Sequence, residues 1–199
     1  MRNLTLSLLL ITLCGFSASL KAQSQFMTRT GHLYVKSTTN IIDIEADNYQ
    51  VVSTLNTQTG ENTFAALIKS FEFDLALANR AFTNERIDVK QFPKVEFKGK
   101  ITNLKDVNFS RPGQYPIQIS GWLTVWDEAR WTGASGTLKV ENGKILGSAD
   151  FILTLEDQSI DKINRILREH IPQVVDISAN DLGVSKKVRI KVNMTYLPQ

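Results

Sequence analysis

The chain has 199 residues, 42% of them hydrophobic and 22% charged, with a formal net charge of +3. That length suits one domain with an ordinary packed core, and so even a charge balance leaves no nucleic-acid footprint. Its single cysteine, Cys14, excludes an internal disulfide and any site built on paired thiolates.

The first 22 residues, MRNLTLSLLLITLCGFSASLKA, have a positive end at Arg2, an apolar run from Leu4 to Phe16 and a small residue, Ala22, before Gln23. This is the pattern of a secretory signal peptide cut after Ala22. The apolar run is shorter than the roughly 18 to 20 residues needed to cross a bilayer, so no stable membrane span is expected. Residues 23–199 are then read as one domain, periplasmic or secreted, and Cys14 leaves with the signal.

From there the chain reads as strands. His32 to Thr38, Ile41 to Asn56 and Phe64 to Phe73 are rich in β-branched and aromatic residues, with Gly60 and Asn62 marking a turn. Leu75 to Val89 loses the alternation and is read as a loop with a short helical turn. Val95, Phe97, Gly99 and Ile101 alternate with Glu96, Lys98, Lys100 and Thr102, and Ile117, Ile119, Gly121, Leu123 and Val125 alternate with Gln118, Ser120, Trp122, Thr124 and Trp126. Both are half-buried strands. Asn142-Gly143, between Thr137–Val140 and the strand of Phe151, Leu153 and Leu155, is a hairpin signal. Ile160, Ile163, Ile166, Leu167 and Ile171 then fall at helical spacing, with Asp157 or Ser159 to cap the start and Pro172 to end the helix. At the C-terminus Val188, Ile190, Val192, Met194 and Tyr196 share one face, while Lys187, Arg189 and Lys191 share the wet one. Regular strands with short polar turns make the class all-β, either a closed meander or a sandwich.

The run FTNERIDVKQFPKVEFKG, from Phe82 to Gly99, resembles the YceI-like family, in which a Phe-Asn-Glu type turn leads to a Tyr-Pro or Phe-Pro step and a strand with a phenylalanine and a glycine. Pro93 cannot donate a ladder hydrogen bond and so belongs at the strand's start. Gly121, Trp122, Leu123, Thr124 and Val125 are similar to the family's second signature. The chain departs just beyond it, with Trp126 and Asp127 where many relatives carry a His-Gly turn. The resemblance spans about Gly31 to Tyr196. It implies a lipocalin-like antiparallel barrel of about eight strands with a short helix, holding a polyisoprenoid or similar apolar lipid in an elongated cavity. Phe64, Phe71, Phe73, Phe82, Phe97, Trp122, Phe151 and Leu153 are then the candidate ligand contacts. The alternative is a filled barrel, structural or partner-binding, with Trp122 and Trp126 on an outer face.

No enzyme is expected. His32 and His170 have no second metal-type ligand at a recognisable spacing, and Gly133-Ala134-Ser135-Gly136 misses the GxSxG turn because its second glycine directly follows the serine. Asp43, Glu45 and Asp47 read as an exposed strand face. Asp74, Asn79, Asn84, Glu85, Arg86 and Asp88 read as a polar connection. No metal or cofactor is implied.

Overall fold

Long strands set the shape of the molecule. The computed structural model describes residues 24–38, 43–76, 78–79, 93–126, 128–157, 159–161, 163, 165 and 185–199. Its elements are β1 (Gln25–Thr38), β2 (Asp43–Asn56), β3 (Glu61–Leu67), β4 (Glu72–Phe73), β5 (Lys94–Ile101), β6 (Gly113–Val125), β7 (Glu128–Glu141), β8 (Lys144–Thr154) and β9 (Lys187–Pro198). Three of them run for 14 residues, about 46 Å each at roughly 3.3 Å per residue.

The strands form one sheet in the order β1-β9-β8-β7-β6-β5-β3-β2-β4, and β1 also pairs with β2. That last pairing closes eight antiparallel strands into a barrel, which removes most of the exposed edge an open sheet would carry. β4 is a two-residue addition, joined to β2 through Ala46–Phe73 and Asp47–Glu72. The expected run from Phe64 to Phe73 is therefore two strands, parted by a short 3-10 turn at Ile68–Ser70.

Alternation sorts the side chains as the sequence implies. On β6, Ile117, Gly121 and Leu123 are buried, while Gln118 and Trp122 are exposed. On β9, Val188, Ile190, Val192, Met194 and Tyr196 face the interior. Arg189 lies on the outside, where its Nε and Nη2 donate to Asp150 at 2.8 and 2.7 Å. Asn142 and Gly143 form a two-residue hairpin between the paired Glu141 and Lys144, with Gly143 at φ 77°, a conformation open to glycine at little cost.

One close approach explains why phenylalanine and glycine recur together. Gly99 and Gly121 face each other across β5 and β6. A Cβ on Gly121 would lie 2.3 Å from Gly99 Cα and 2.4 Å from the Lys98 carbonyl oxygen, and one on Gly99 would lie 2.3 Å from Phe97 Cζ. The Phe97 ring thus lies over the bare glycine backbone inside the barrel.

The described helical residues within 157–165 stand at the end of the barrel where β8 finishes, with Ile160 packed on Ile44, Leu155 and Ile163. Ser159, expected as a cap, instead donates its hydroxyl to Glu128 Oε2 at 2.6 Å. The expected helix end at Pro172, and His170, lie outside the described residues.

Candidate functional site: an apolar cavity in the barrel

The inward-facing side chains leave part of the barrel unfilled. A cavity of about 320 Å³ runs inside it, within the size range of small-molecule sites. Its floor, its middle and its mouth differ in chemistry.

The floor is polar yet internally satisfied. Ser53 Oγ donates to the Thr63 carbonyl at 2.7 Å, so the Ser53–Tyr196 contact of 2.8 Å has the tyrosine hydroxyl as donor. Asn62 Nδ2 donates to Tyr196 Oη at 3.0 Å and to the Thr54 carbonyl at 2.8 Å. Burial pushes the Tyr196 hydroxyl above its ordinary pKa, partly offset by its bonds to Ser53 and Asn62. Asn62 is therefore an interior residue of β3 and not part of the turn expected from its nearness to Gly60. That turn is held by Asn56, whose Oδ1 accepts from the Gln58 and Thr59 amides.

The middle is aromatic and aliphatic. Phe64 and Phe97 stack with centroids 5.4 Å apart, and Ile119, Ala149 and Phe151 complete the wall. At the mouth stand Phe71 and Phe73, tilted at 6.4 Å, together with Leu153, Trp126 and Ile163 of the helical segment. Trp126 holds φ 57°. The two-residue β6–β7 loop that joins the paired Val125 and Glu128 favours positive φ, at a cost of about 1–2 kcal/mol for an L residue.

Of the expected ligand contacts, Phe64, Phe71, Phe73, Phe97, Phe151 and Leu153 all line this cavity. Trp122 does not. It is 53% exposed on the outer face, edge-on to Trp131 at 5.6 Å, because it shares the outward register of Gln118 and Ser120. Phe82 lies outside the described residues. The two tryptophans expected to share an outer face are thus separated, Trp122 outside and Trp126 at the mouth. Trp126, Asn62, Ser53 and Tyr196 line the cavity without having been named as contacts. For Tyr196 the signal was present, since it closes the alternating apolar face of β9.

The ionisable groups gather outside. Lys36 Nζ lies 2.6 Å from Asp43 Oδ2 and 2.8 Å from Glu45 Oε1, and Tyr34 Oη donates to Glu45 Oε2 at 2.6 Å. Lys36 holds both carboxyls below their usual range, and they raise the lysine in turn. The Tyr34 hydroxyl is pushed up to about 12 by desolvation and by Glu45. Groups that fix one another's charge in this way are not poised to move protons near neutral pH. His32 Nε2 lies 2.5 Å from Asp47 Oδ1 and its ring stacks on Tyr49. Among the described residues no group of three or more His, Cys, Asp or Glu could hold a metal ion, and no helix is long and apolar enough to cross a membrane.

No protein-family model matches the sequence, and no curated protein matches it. Solved structures do match in fold. A polyisoprenoid binding domain from Saccharophagus degradans, implicated in plant cell wall breakdown, superposes with a TM-score of 0.70 at 10% identity, covering 89% of this chain and 99% of that one. BcnA of Burkholderia cenocepacia superposes with a TM-score of 0.58 at 14% identity, covering 83% of this chain and 95% of that one. The chain shares their fold over most of its length, and it is the lipocalin-like antiparallel barrel that the YceI-like resemblance implies.

Proposed function

We propose that the protein is a binding or carrier protein for a long apolar lipid such as a polyisoprenoid, exported to the periplasm or beyond, and that it is not an enzyme. The observation that carries this reading is the chemistry of the cavity wall. Among the described residues no Asp, Glu, Lys, Arg or His lines it. A charged ligand group placed there would lose its hydration with no partner to replace it, whereas each buried methylene contributes about 0.8 kcal/mol. Ten methylenes would then contribute about 8 kcal/mol before the costs of association, enough to make chain length the main determinant of affinity.

The same wall supports the non-enzymatic reading. Among the described residues its hydroxyls, Ser37, Ser53, Thr132, Ser148 and Tyr196, have no histidine or carboxylate beside them in the cavity to act as a base. The Saccharophagus domain of the same fold binds polyisoprenoids, which supports the choice of ligand class. The signal-like segment up to Ala22 supports export.

The test is native mass spectrometry of the protein purified from its own periplasm, followed by denaturation to release any passenger. A discrete excess mass resolving into an isoprenoid or fatty chain is the expected result. An empty protein that also refuses lipid in titration would overturn the reading.

A further inference from the structure

Strands β7 and β8 part company halfway along the barrel. They are paired from Glu141–Lys144 to Gly136–Ala149 and no further. Yet β7 begins at Glu128 and β8 continues to Thr154. Over those lengths β7 is paired to β6 as far as Val125–Glu128, and β8 to β9 as far as Thr154–Lys187. Among the described residues the wall is therefore unzipped from its middle to its helix end, with β7 and β8 each held on one side alone.

The gap lies between the interior cavity and a cleft on the outside. This outer cleft is lined by Gln118, Ser120, Ser135 and Asp150, and it shares Ile119, Gly133, Ala134 and Phe151 with the interior cavity. At the end of the gap nearest the paired ladder, the residues that border it on β7 are small: Gly133, Ala134 and Ser135. Near the helix end one side-chain bond spans the two strands in place of a ladder, Arg130 Nη1 donating to the Thr154 carbonyl at 2.6 Å. The buried Nη2 of the same guanidinium has no hydrogen-bond partner, so this clasp holds through one nitrogen only.

We infer that the gap is a side portal through which the apolar chain enters and leaves the cavity between β7 and β8, with Arg130 as its clasp. The inference rests on the binding reading above and adds the route. An intact barrel wall would need several ladder hydrogen bonds broken to admit a chain laterally, each leaving unpaired backbone groups. Among the described residues that ladder is already absent, and separating the strands further breaks the Arg130 bond and, at the very end, the Ser159–Glu128 bond that ties the start of β7 to the helical segment after β8. Toward the opposite end, among the described residues, the hydrogen-bonded Ser53–Asn62–Tyr196 network lies across the cavity. A chain passing sideways also reaches Phe151 and Phe97 without first threading past Trp126 and Ile163.

The experiment follows stopped-flow uptake and release of farnesyl anthranilate, a neutral fluorescent isoprenoid ester, by the wild type and two variants. Gly133 sits at an outward register position between Trp131 and Ser135. A Cβ there would meet nothing nearer than the Ile119 carbonyl oxygen at 3.4 Å and Ser120 Cβ at 3.8 Å, so Gly133→Phe places a ring in the outer cleft. It is expected to slow uptake and release together by about ten-fold or more, the mark of a blocked route. Arg130→Ala opens the clasp and is expected to speed both several-fold, and it carries the test alone should circular dichroism show Gly133→Phe unfolded. Wild-type exchange rates in the folded variants would overturn the portal while leaving binding intact. A wild type that takes up no probe would overturn the binding reading and the portal with it.

Discussion

Tyr196→Phe isolates the polar floor of the cavity, because it removes one oxygen and keeps the ring. In the wild type that hydroxyl accepts from Asn62 at 3.0 Å and donates to Ser53 at 2.8 Å. Without it, one Asn62 N–H is stranded in the interior, and its remaining acceptor is Ser53 Oγ at a long 3.4 Å. A buried donor left unsatisfied costs about 1–3 kcal/mol, and the long contact to Ser53 places this case near 2 kcal/mol. For a protein of this size that lowers the melting temperature by roughly 4–8 °C. The pH dependence carries a second signature. Burial raises the Tyr196 pKa in the folded state, so its stabilisation is whole below about pH 10, where a free tyrosine ionises. Above that it declines, as the unfolded chain loses the proton first. The phenylalanine variant has no such decline, so its deficit narrows as pH rises past 10, and the raised Tyr34 is common to both proteins and cancels. Thermal unfolding by circular dichroism between pH 7 and 11 reads both effects. A variant as stable as the wild type at pH 7, or a deficit that stays constant to pH 11, would refute the network as described.

Gly121→Ala is expected to cost about 3 kcal/mol or more, beyond ordinary overpacking, because the new methyl meets the backbone at Gly99 Cα and Lys98 O and not a side chain that can turn away; soluble yield and far-ultraviolet circular dichroism check it. Asp43, Glu45, Glu141 and Asp150 are held below their ordinary pKa values by hydrogen bonds from Lys36, Lys36, Lys139 and Arg189 respectively. Their contribution is whole above about pH 4–5 and disappears as pH falls through the depressed values; an unfolding midpoint unchanged from pH 5 to pH 2 would contradict it. Of the three tryptophans, Trp122 and Trp131 are exposed and Trp126 lines the cavity. Iodide should quench the first two, and a brominated isoprenoid the third, with that second quench absent in Trp126→Phe.

Alternation made most of the wall legible. Each strand with one wet and one dry face shows period two in its sequence, and β6 and β9 could be oriented residue by residue. Closure was not legible from that pattern, because the β1–β9 pairing joins segments far apart in the chain, and a sandwich would have used the same alternation. Trp122 shows what happens when residue type is set above register. Its neighbours Gln118, Ser120 and Thr124 already placed it on the wet face, yet its aromatic ring suggested a ligand contact. Asn62 erred the other way: beside Gly60 an asparagine reads as a turn, and only the tyrosine hydroxyl arriving from β9 gives it an interior role.

The unzipped segment of β7 and β8 connects these observations. Apart from Trp131, the outward residues of the unzipped stretch of β7, Ala129, Gly133 and Ser135, offer little side-chain surface to hold a neighbouring strand. Cross-strand packing adds to the backbone bonds of a sheet, and these small side chains contribute little of it. The same smallness leaves open space inside, since Thr132, Ala134 and Gly136 line the same cavity as the bulky Phe64, Phe97 and Phe71. A β7 rich in large residues would have filled the barrel and drawn β8 against it, producing the closed structural module that was the alternative reading. Cavity and portal therefore follow from one property of one strand, and enlarging that strand's side chains is expected to remove both together.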